Sequence, residues 1–186
     1  MKKEIAARVG AGWNFIAFAE MLLLAVWLGS MIFFSFAVAP SAFAVLPTRE
    51  LAGRMVTSTI AKVEVLGLLI GPLLILIQVA SLRRSDSSKT IEFVKSLLIV
   101  VMIAAAALSH FWISPAMVSL RASMGVPIDE VPLNDPVRLW FNNLHQYSVA
   151  LMGTAMIAGL VVLFLTVRSL RSRWNSSCLD DNRSEL

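Results

Sequence analysis

The sequence is poor in charged residues and in cysteine, and it lacks the motifs that mark the common enzyme families. Charged residues make up 15% of its 186 positions, and the single cysteine, Cys178, excludes an intramolecular disulfide. The chain contains no HExxH, GxSxG or phosphate-loop pattern. We therefore expect a protein that is not an enzyme and that carries no cofactor.

Apolar residues dominate instead, at 58% of the chain with a mean hydropathy of +0.77. This composition is too apolar for a soluble domain of this length. Four runs are long enough to cross about 30 Å of hydrocarbon, at residues 21–39, 65–82, 96–113 and 147–167. They predict an all-α, polytopic membrane protein with an antiparallel four-helix transmembrane bundle. We expect one domain over residues 1–173, followed by a disordered cytoplasmic tail at 174–186.

The formal charge of +4 follows from topology rather than from a nucleic-acid-binding surface. With four spans, the N-terminus, the loop 83–95 and the C-terminal tail share one side of the membrane. They carry all of the 16 lysines and arginines except Arg49, Arg54, Lys62, Arg121 and Arg138. The positive-inside bias therefore predicts cytoplasmic termini, at the inner membrane if the source is bacterial. The expected partners are the lipid bilayer and a second copy or another membrane protein, with no nucleic acid.

Small and polar side chains mark the packed face of a membrane helix, because lipid tails are as apolar as leucine. One such stripe occurs in each predicted span and predicts its inward face. The members are Gly29, Phe33, Phe36, Pro40 and Phe43 in the first; Glu64, Gly67, Gly71, Leu74 and Gln78 in the second; Ala106, Ala107 and His110 in the third; and Phe141, His145, Ser148, Met152, Ala155 and Gly159 in the fourth. Glu20, at the cytoplasmic end, is expected either to reach the membrane surface or to be a buried partner of Gln78.

Three ionisable side chains, Glu64, His110 and His145, are predicted on inward stripes at one level near the outer end of the bundle. Ionisable groups between membrane helices are costly and often functional. Three interpretations remain open. The side chains are satisfied at the interface by water and by one another, with Lys62 as a partner of Glu64; they form a haem or metal site; or they handle protons or a ligand in a small transporter.

With these residues identified, the chain resembles the transmembrane protein 205-like family, a domain of unknown function found in bacteria and eukaryotes. The resemblance rests on WLGSMIFFSFAVAPSAFAVLP at 27–47, SPAMVSLRASMG at 114–125 and FNNLHQYSVALMGTAMIAGLVVLF at 141–164. The residues that match the family pattern are Trp27, Gly29, Pro40, Phe43, Pro115, Arg121, Phe141, His145 and Ser148. The resemblance implies a four-helix integral membrane domain and brings no established reaction.

The leading hypothesis is an integral membrane protein of uncharacterised molecular function, linked to membrane transport or stress tolerance. A second hypothesis is a membrane redox protein that binds haem or copper through His110 and His145, since imidazole nitrogen suits both metals. A third is a membrane assembly subunit that contacts its partner through the outer helix Pro136–Asn143. No internal repeat is evident in the sequence.

Overall fold

A computed structural model describes residues 2–82 and 89–184 of the chain, with side chains at residues 15–80 and 89–169. The regular elements of this described part are all helical. They are α1 (Lys2–Phe33), a first π-turn (Phe34–Val38), α2 (Ala39–Val45), α3 (Arg49–Leu82), α4 (Lys89–Leu108), a second π-turn (Ser109–Ile113), α5 (Ser114–Met124) and α6 (Pro136–Ser184). Each π-turn joins its two neighbouring helices without a break.

Four helical segments are long and apolar enough to cross a membrane, namely Phe15–Val45, Arg49–Ala80, Lys89–Met124 and Pro136–Ser169. Their outward faces carry large apolar side chains, among them Phe18, Phe33, Leu69, Leu76, Phe111, Ile157 and Phe164. Lipid can cover such a surface, whereas water would not favour it. The prediction of a multi-pass membrane protein built as a helix bundle is therefore confirmed.

Two sequence predictions concern the ends of these helices. Residues 83–88, the first part of the predicted loop 83–95, lie outside the described residues, and α4 begins at Lys89. The backbone of α6 continues to Ser184, but the side chains after Ser169 lie outside the described residues. The disordered tail at 174–186 therefore stays a prediction.

The core forms where large side chains of α1 and α4 pack against small residues of α3 and α6. The helices α1 and α4 each contact both α3 and α6. Trp27 of α1 is 1% exposed, and a Cβ added at Gly67 of α3 would overlap its indole ring. A Cβ at Gly71 would likewise overlap Ile103 of α4. The glycines thus let neighbouring helices approach closely, as the stripe in the second predicted span indicated.

The inward face predicted for the first span was wrong. Gly29, Phe33, Phe36 and Phe43 are exposed. The buried positions of this segment are instead Glu20, Leu24, Trp27, Leu28, Met31 and Phe34. Two physical reasons account for the difference. A large tryptophan fills the space left by glycines on the partner helix, and the π-turn inserts an extra residue that shifts the side-chain register beyond residue 34.

Buried positions recur in the two halves of the chain with matched spacing, which the sequence analysis did not detect. Four buried positions of α1 and the first π-turn each precede a buried position of α4 or the second π-turn by the same number of residues. These pairs are Glu20/Lys95, Leu24/Ile99, Trp27/Met102 and Phe34/Ser109. Five buried positions of α3 likewise precede buried positions of α6 by a second constant number of residues. These pairs are Gly53/Phe141, Gly67/Ala155, Gly71/Gly159, Leu74/Val162 and Gln78/Thr166. The described part of the bundle therefore consists of two halves that bury equivalent positions, α1–α3 and α4–α6.

Both π-turns precede a proline at matched positions. The Ala39 N–H donates to the Phe34 carbonyl and the Ser114 N–H donates to the Ser109 carbonyl, each five residues back. Pro40 and Pro115 follow directly. Proline has no N–H to donate, and its ring clashes with the carbonyl four residues earlier. The widened turn relieves this clash and rotates the following helix relative to the preceding one.

Candidate functional site

Glu64 is the centre of a buried polar group that we call the Glu64 cluster, formed by Glu64, Ser109, His110 and Ser114. Glu64 is 5% exposed and accepts a hydrogen bond from the Ser109 hydroxyl. His110 Nδ1 lies 3.2 Å from Glu64 Oε2, and Ser114 Oγ lies 3.5 Å from both carboxylate oxygens. The carboxylate of α3 thus faces three polar side chains of the second π-turn and the start of α5.

The second π-turn creates this convergence. In a regular α-helix, Ser114 would point about 140° away from Ser109, since successive residues rotate by about 100°. The wider π-turn brings Ser114 back toward the side of the helix that carries Ser109 and His110. Single π-turns inside α-helices are frequently found at functional sites. The placement of three polar groups around one carboxylate therefore depends on Pro115 and the turn before it.

The predicted partner of Glu64, Lys62, does not contact it. Lys62 is exposed and forms no ion pair within the part of the chain that the structure describes. Two residues along a helix correspond to a rotation of about 200°, so the two side chains leave α3 on opposite faces. Glu64 also lies about 22 Å from the first residue of α3, well inside the helix rather than at its outer start.

A groove with a volume of about 510 Å³ opens beside this cluster. Its wall is formed by Phe34, Ser35, Phe36, Ala39, Pro40, Phe43, Val56, Thr57, Ile60, Ser114, Met117, His145, Ser148, Val149, Met152, Gly153 and Met156. The wall is mostly apolar, and none of these described residues is Asp, Glu, Lys or Arg. Ser114 belongs both to the wall and to the Glu64 cluster, so the groove and the buried carboxylate share one hydroxyl.

The structure brings together two of the three ionisable residues predicted to meet. Glu64 and His110 are in contact, whereas His145 is exposed on α6, lines the groove and makes no hydrogen bond within the described residues. Among residues 2–82 and 89–184, no three His, Cys, Asp or Glu side chains come close enough to hold a metal ion. His145 was predicted on the packed face, and that placement was wrong, because the packed positions of α6 are Phe141, Ser148, Ala155 and Gly159.

A small cavity lies on the core side of Glu64. Its volume is about 30 Å³, and Glu64 and Ser109 are its polar lining residues. The rest of the wall is Trp27, Met31, Val63, Met102, Ala105, Ala106, Leu151, Met152 and Ala155. This volume suits a single water molecule, which needs polar partners of the kind that Glu64 and Ser109 offer.

A second buried polar group, the Glu20 cluster, consists of Glu20, Gln78, Glu92, Lys95 and Thr166. Glu20 Oε1 accepts from Lys95 Nζ at 2.7 Å, from Gln78 Nε2 at 2.8 Å and from Thr166 Oγ1 at 2.9 Å. Lys95 Nζ also lies 3.3 Å from Glu92 Oε2. All five side chains are buried, so one carboxylate contacts the three other spans inside the bundle.

The sequence analysis found only part of this cluster. Glu20 is the buried partner of Gln78 and does not reach the membrane surface. Lys95 was placed in the loop 83–95, but it is 2% exposed within α4. Thr166 was not singled out at all. The signal that could have found Lys95 is its position one turn before Ile99, equivalent to that of Glu20 before Leu24 in the first half of the chain.

The two clusters are separated along α3 by the segment between Glu64 and Gln78. At 1.5 Å per residue their separation is about 21 Å. The hydrocarbon core of a bilayer is about 30 Å thick. The clusters therefore cannot lie at its two opposite surfaces at once, and at least one of them is inside the hydrocarbon region.

Arg121 joins three helices at the end of the bundle where α5 lies. Its Nε is 3.8 Å from Glu50 Oε2 of α3, and its guanidinium carbon is 5.2 Å from the centre of the Phe141 ring of α6. Glu50 also pairs with Arg54 at 2.7 Å. A Cβ at Gly53 would lie 2.7 Å from an Arg121 nitrogen, so glycine leaves room for the guanidinium. These contacts hold α5 against α3 and α6.

The residues of the predicted family pattern thus have distinct places. Trp27 lies in the core, Arg121 stacks on Phe141, and Gly29 is exposed. Pro115 follows the second π-turn. The groove is lined by the other four, Pro40, Phe43, His145 and Ser148.

Comparison with known families gives one match. The model of a domain of unknown function, DUF4149, matches residues 22–125. The chain belongs to this family. The DUF4149 match covers Trp27, both π-turns and Arg121, and it ends before Phe141 and His145. It gives no support for the narrower transmembrane protein 205-like resemblance. No curated protein and no solved structure matches the chain.

Proposed function

We propose that the chain is a non-enzymatic membrane transport protein that binds a neutral amphiphilic molecule in the groove beside the Glu64 cluster. The observation that carries this proposal is the groove itself, with its volume of about 510 Å³ and its mostly apolar wall. Binding sites for small molecules have volumes of roughly 300–1,000 Å³, apolar walls and a few polar groups that orient the ligand.

The polar groups of the wall indicate a ligand with a hydrogen-bonding head. Ser114, His145 and Ser148 lie on the wall with Thr57 and Ser35. Hydroxyl and imidazole groups can donate to or accept from an alcohol, carbonyl or amide. A charged head would find no opposite charge on the described wall, and burying an unpaired charge is costly. A neutral head is therefore favoured.

The position of the groove indicates that the ligand arrives through the bilayer. Phe36, Phe43 and Val149 belong to its wall and are exposed on the outside of the bundle. The corresponding outer surface is in contact with lipid tails once the helices span a membrane. A molecule dissolved in the bilayer can therefore enter sideways between the first and last spans.

Transport across the membrane also requires a defined orientation. We propose an antiparallel bundle with both termini in the cytoplasm, supported by the basic residues near the termini and in the loop 83–95. In this arrangement the groove and the Glu64 cluster lie toward the outer side. The proposed partners are the bilayer and a second copy of the chain. Similarity to the transmembrane protein 205-like family and a role in stress tolerance are further parts of this proposal.

Photo-crosslinking with a diazirine-bearing decanol would test the binding step. We expect the purified protein to be labelled mainly on the groove wall, near the first π-turn and near Gly153. Gly153→Trp should lower this labelling several-fold, because a Cβ added at Gly153 meets no protein atom within 4 Å and Gly153 lies on the groove wall, so the indole can occupy the groove.

Gly29→Trp is the matched control, since Gly29 also has open space around its Cβ position and does not line the groove. It should leave labelling of the groove unchanged. Labelling spread evenly over the lipid-facing helices, or equal labelling in the two variants, would contradict the proposal. Labelling replaced by crosslinks between two chains would show that a second copy fills the groove instead.

A further inference from the structure

We infer that the Glu64–His110 pair is a proton-binding site coupled to the groove through Ser114. The coupling half of this inference rests on the proposed function, because it requires a ligand in the groove. The proton-binding half stands on the contacts of Glu64 alone.

The surroundings of Glu64 make His110 its counter-ion. From α1, Trp27 and Met31 face the cavity beside Glu64, and from α6, Leu151, Met152 and Ala155 do so. None of these side chains can carry a charge. On α3 itself Lys62 points away, and His145 of α6 lines the groove without contacting Glu64. Among the described residues, His110 is therefore the titratable group in contact with the carboxylate.

This arrangement favours one proton on the pair. Glu64 accepts from Ser109 and, at longer range, from Ser114, which suits an ionised carboxylate, and His110 Nδ1 lies 3.2 Å from its other oxygen. An ionised carboxylate in an apolar bundle requires a compensating charge, which the protonated imidazole supplies. Loss of the proton from His110 would leave Glu64 as an unpaired buried charge. His110 has 27% of its side chain exposed and Glu64 has 5%, so the imidazole is the member of the pair nearer to the surface of the bundle.

Ser114 links the proton to the ligand. Its hydroxyl lies 3.5 Å from Glu64 and also lies on the groove wall. A ligand head that accepts the Ser114 hydrogen withdraws a donor from the carboxylate. With one donor fewer, Glu64 depends more on protonated His110, so the pair holds its proton more strongly. Ligand binding and proton binding therefore favour each other, as linkage requires.

The test measures the half-saturating concentration of the diazirine-bearing decanol from its labelling yield between about pH 6 and pH 9. We expect the wild-type affinity to fall by at least about fivefold as the pH rises. The affinity of Glu64→Gln should be independent of pH, because its amide needs no counter-ion. Ser114→Ala should also lose the pH dependence, since it removes the shared hydroxyl while keeping Glu64 and His110.

Two controls separate the pair from other groove residues. Ser148→Ala removes a groove hydroxyl that does not contact Glu64, so it should weaken binding and retain the pH dependence. His145→Asn should retain the pH dependence as well. If His145→Asn abolishes it, or if wild-type affinity does not change with pH, the coupling is overturned while ligand binding itself stands.

The protonation of His110 can also be measured in the absence of a ligand. His145→Asn leaves His110 as the single histidine of the chain, so its ring can be followed alone by nuclear magnetic resonance during a pH titration. Adding Glu64→Gln should change this titration curve, because the counter-charge is lost. An unchanged titration would overturn the proton-binding half. Absence of groove labelling with a changed titration would instead reject the proposed function and retain the proton site.

Discussion

Lys95 Nζ lies 2.7 Å from Glu20 Oε1, and this ion pair joins α4 to α1 inside the bundle. Both α1 and α4 pack mainly against α3 and α6, so the long side chain of Lys95 crosses the space between α1 and α4. Gln78 and Thr166 donate to the same Glu20 oxygen. One buried carboxylate therefore connects all four spans at a single level.

Removing one partner of this ion pair should be strongly destabilising. Lys95→Met keeps much of the volume of the side chain but leaves Glu20 without its ammonium partner. Breaking a buried ion pair in this way costs about 3–5 kcal/mol. We therefore expect a clear fall in the midpoint of thermal unfolding in mild detergent.

The double variant Glu20→Gln with Lys95→Met also removes the Glu20 charge that Lys95→Met leaves without its ammonium, so it should recover part of the loss. Lys62→Met, at an exposed lysine, should change the midpoint little. Equal midpoints for Lys95→Met and Lys62→Met would mean that the Glu20–Lys95 pair does not form.

Close helix approach at Gly71 gives a second prediction. Gly71→Leu should lower the thermal midpoint strongly, because even a Cβ there would overlap Ile103 of α4. Overpacking of this kind typically costs about 1–3 kcal/mol or more. Leu69→Ala, at an exposed position two residues away, should have little effect. Similar midpoints for both variants would mean that the packed face of α3 is assigned wrongly.

The accuracy of the sequence analysis differed between helices for a physical reason. The stripe from Glu64 to Gln78 was correct because small and polar residues recur there along one uninterrupted α-helix. In the first span the predicted stripe left out Trp27, because this side chain is large and yet packs inside the bundle against glycine. It failed again at the π-turn, where a change in side-chain register cannot be read from regular periodicity.

The parts of the site that the sequence analysis missed all depend on contacts between different helices. Lys95 was treated as a surface charge because nothing within its own helix identifies Glu20 as its partner. His145 was grouped with Glu64 from its depth and from the predicted stripe of the fourth span, whereas the rotation of α6 places it on the groove wall. The groove itself depends on the packing of several helices, so no single segment of sequence predicts it.

Elemental analysis of the purified protein should find no stoichiometric transition metal. A metal ion needs several well-placed donors, and Glu64 and His110 meet without a third such side chain among the described residues. We therefore also expect a colourless preparation. A Soret band, or copper near one atom per chain that is lost in both His110→Ala and His145→Ala, would contradict this prediction and support the redox hypothesis.

The proposed orientation predicts which loops face the cytoplasm. In a Cys178→Ser background, a single cysteine at Gly125 should react with a membrane-impermeant thiol reagent added to intact cells. A single cysteine at Ser87 should react only after the membrane is opened. The physical reason is the excess of basic residues on the side that includes Arg83 and Arg84. Labelling of the Ser87 position from outside would reverse the orientation.

The proline that follows the second π-turn should determine the geometry of the Glu64 cluster. Pro115→Ala restores an N–H and removes the ring that clashes with the Phe111 carbonyl, so a regular α-helix becomes possible. Ser114 would then rotate away from Glu64, and Arg121, further along α5, would lose its position near Phe141. We expect a loss of about 1–3 kcal/mol in the free energy of unfolding.

Hydrogen exchange provides the local measurement, since the Ser114 N–H would change its acceptor from Ser109 to His110. Pro136→Ala is the matched control. Pro136 occupies the first position of α6, where the N–H has no partner within its own helix, so its replacement should change neither stability nor exchange near Ser114. If Pro115→Ala behaves like this control, the π-turn is set by packing against α3 and α6 rather than by the proline.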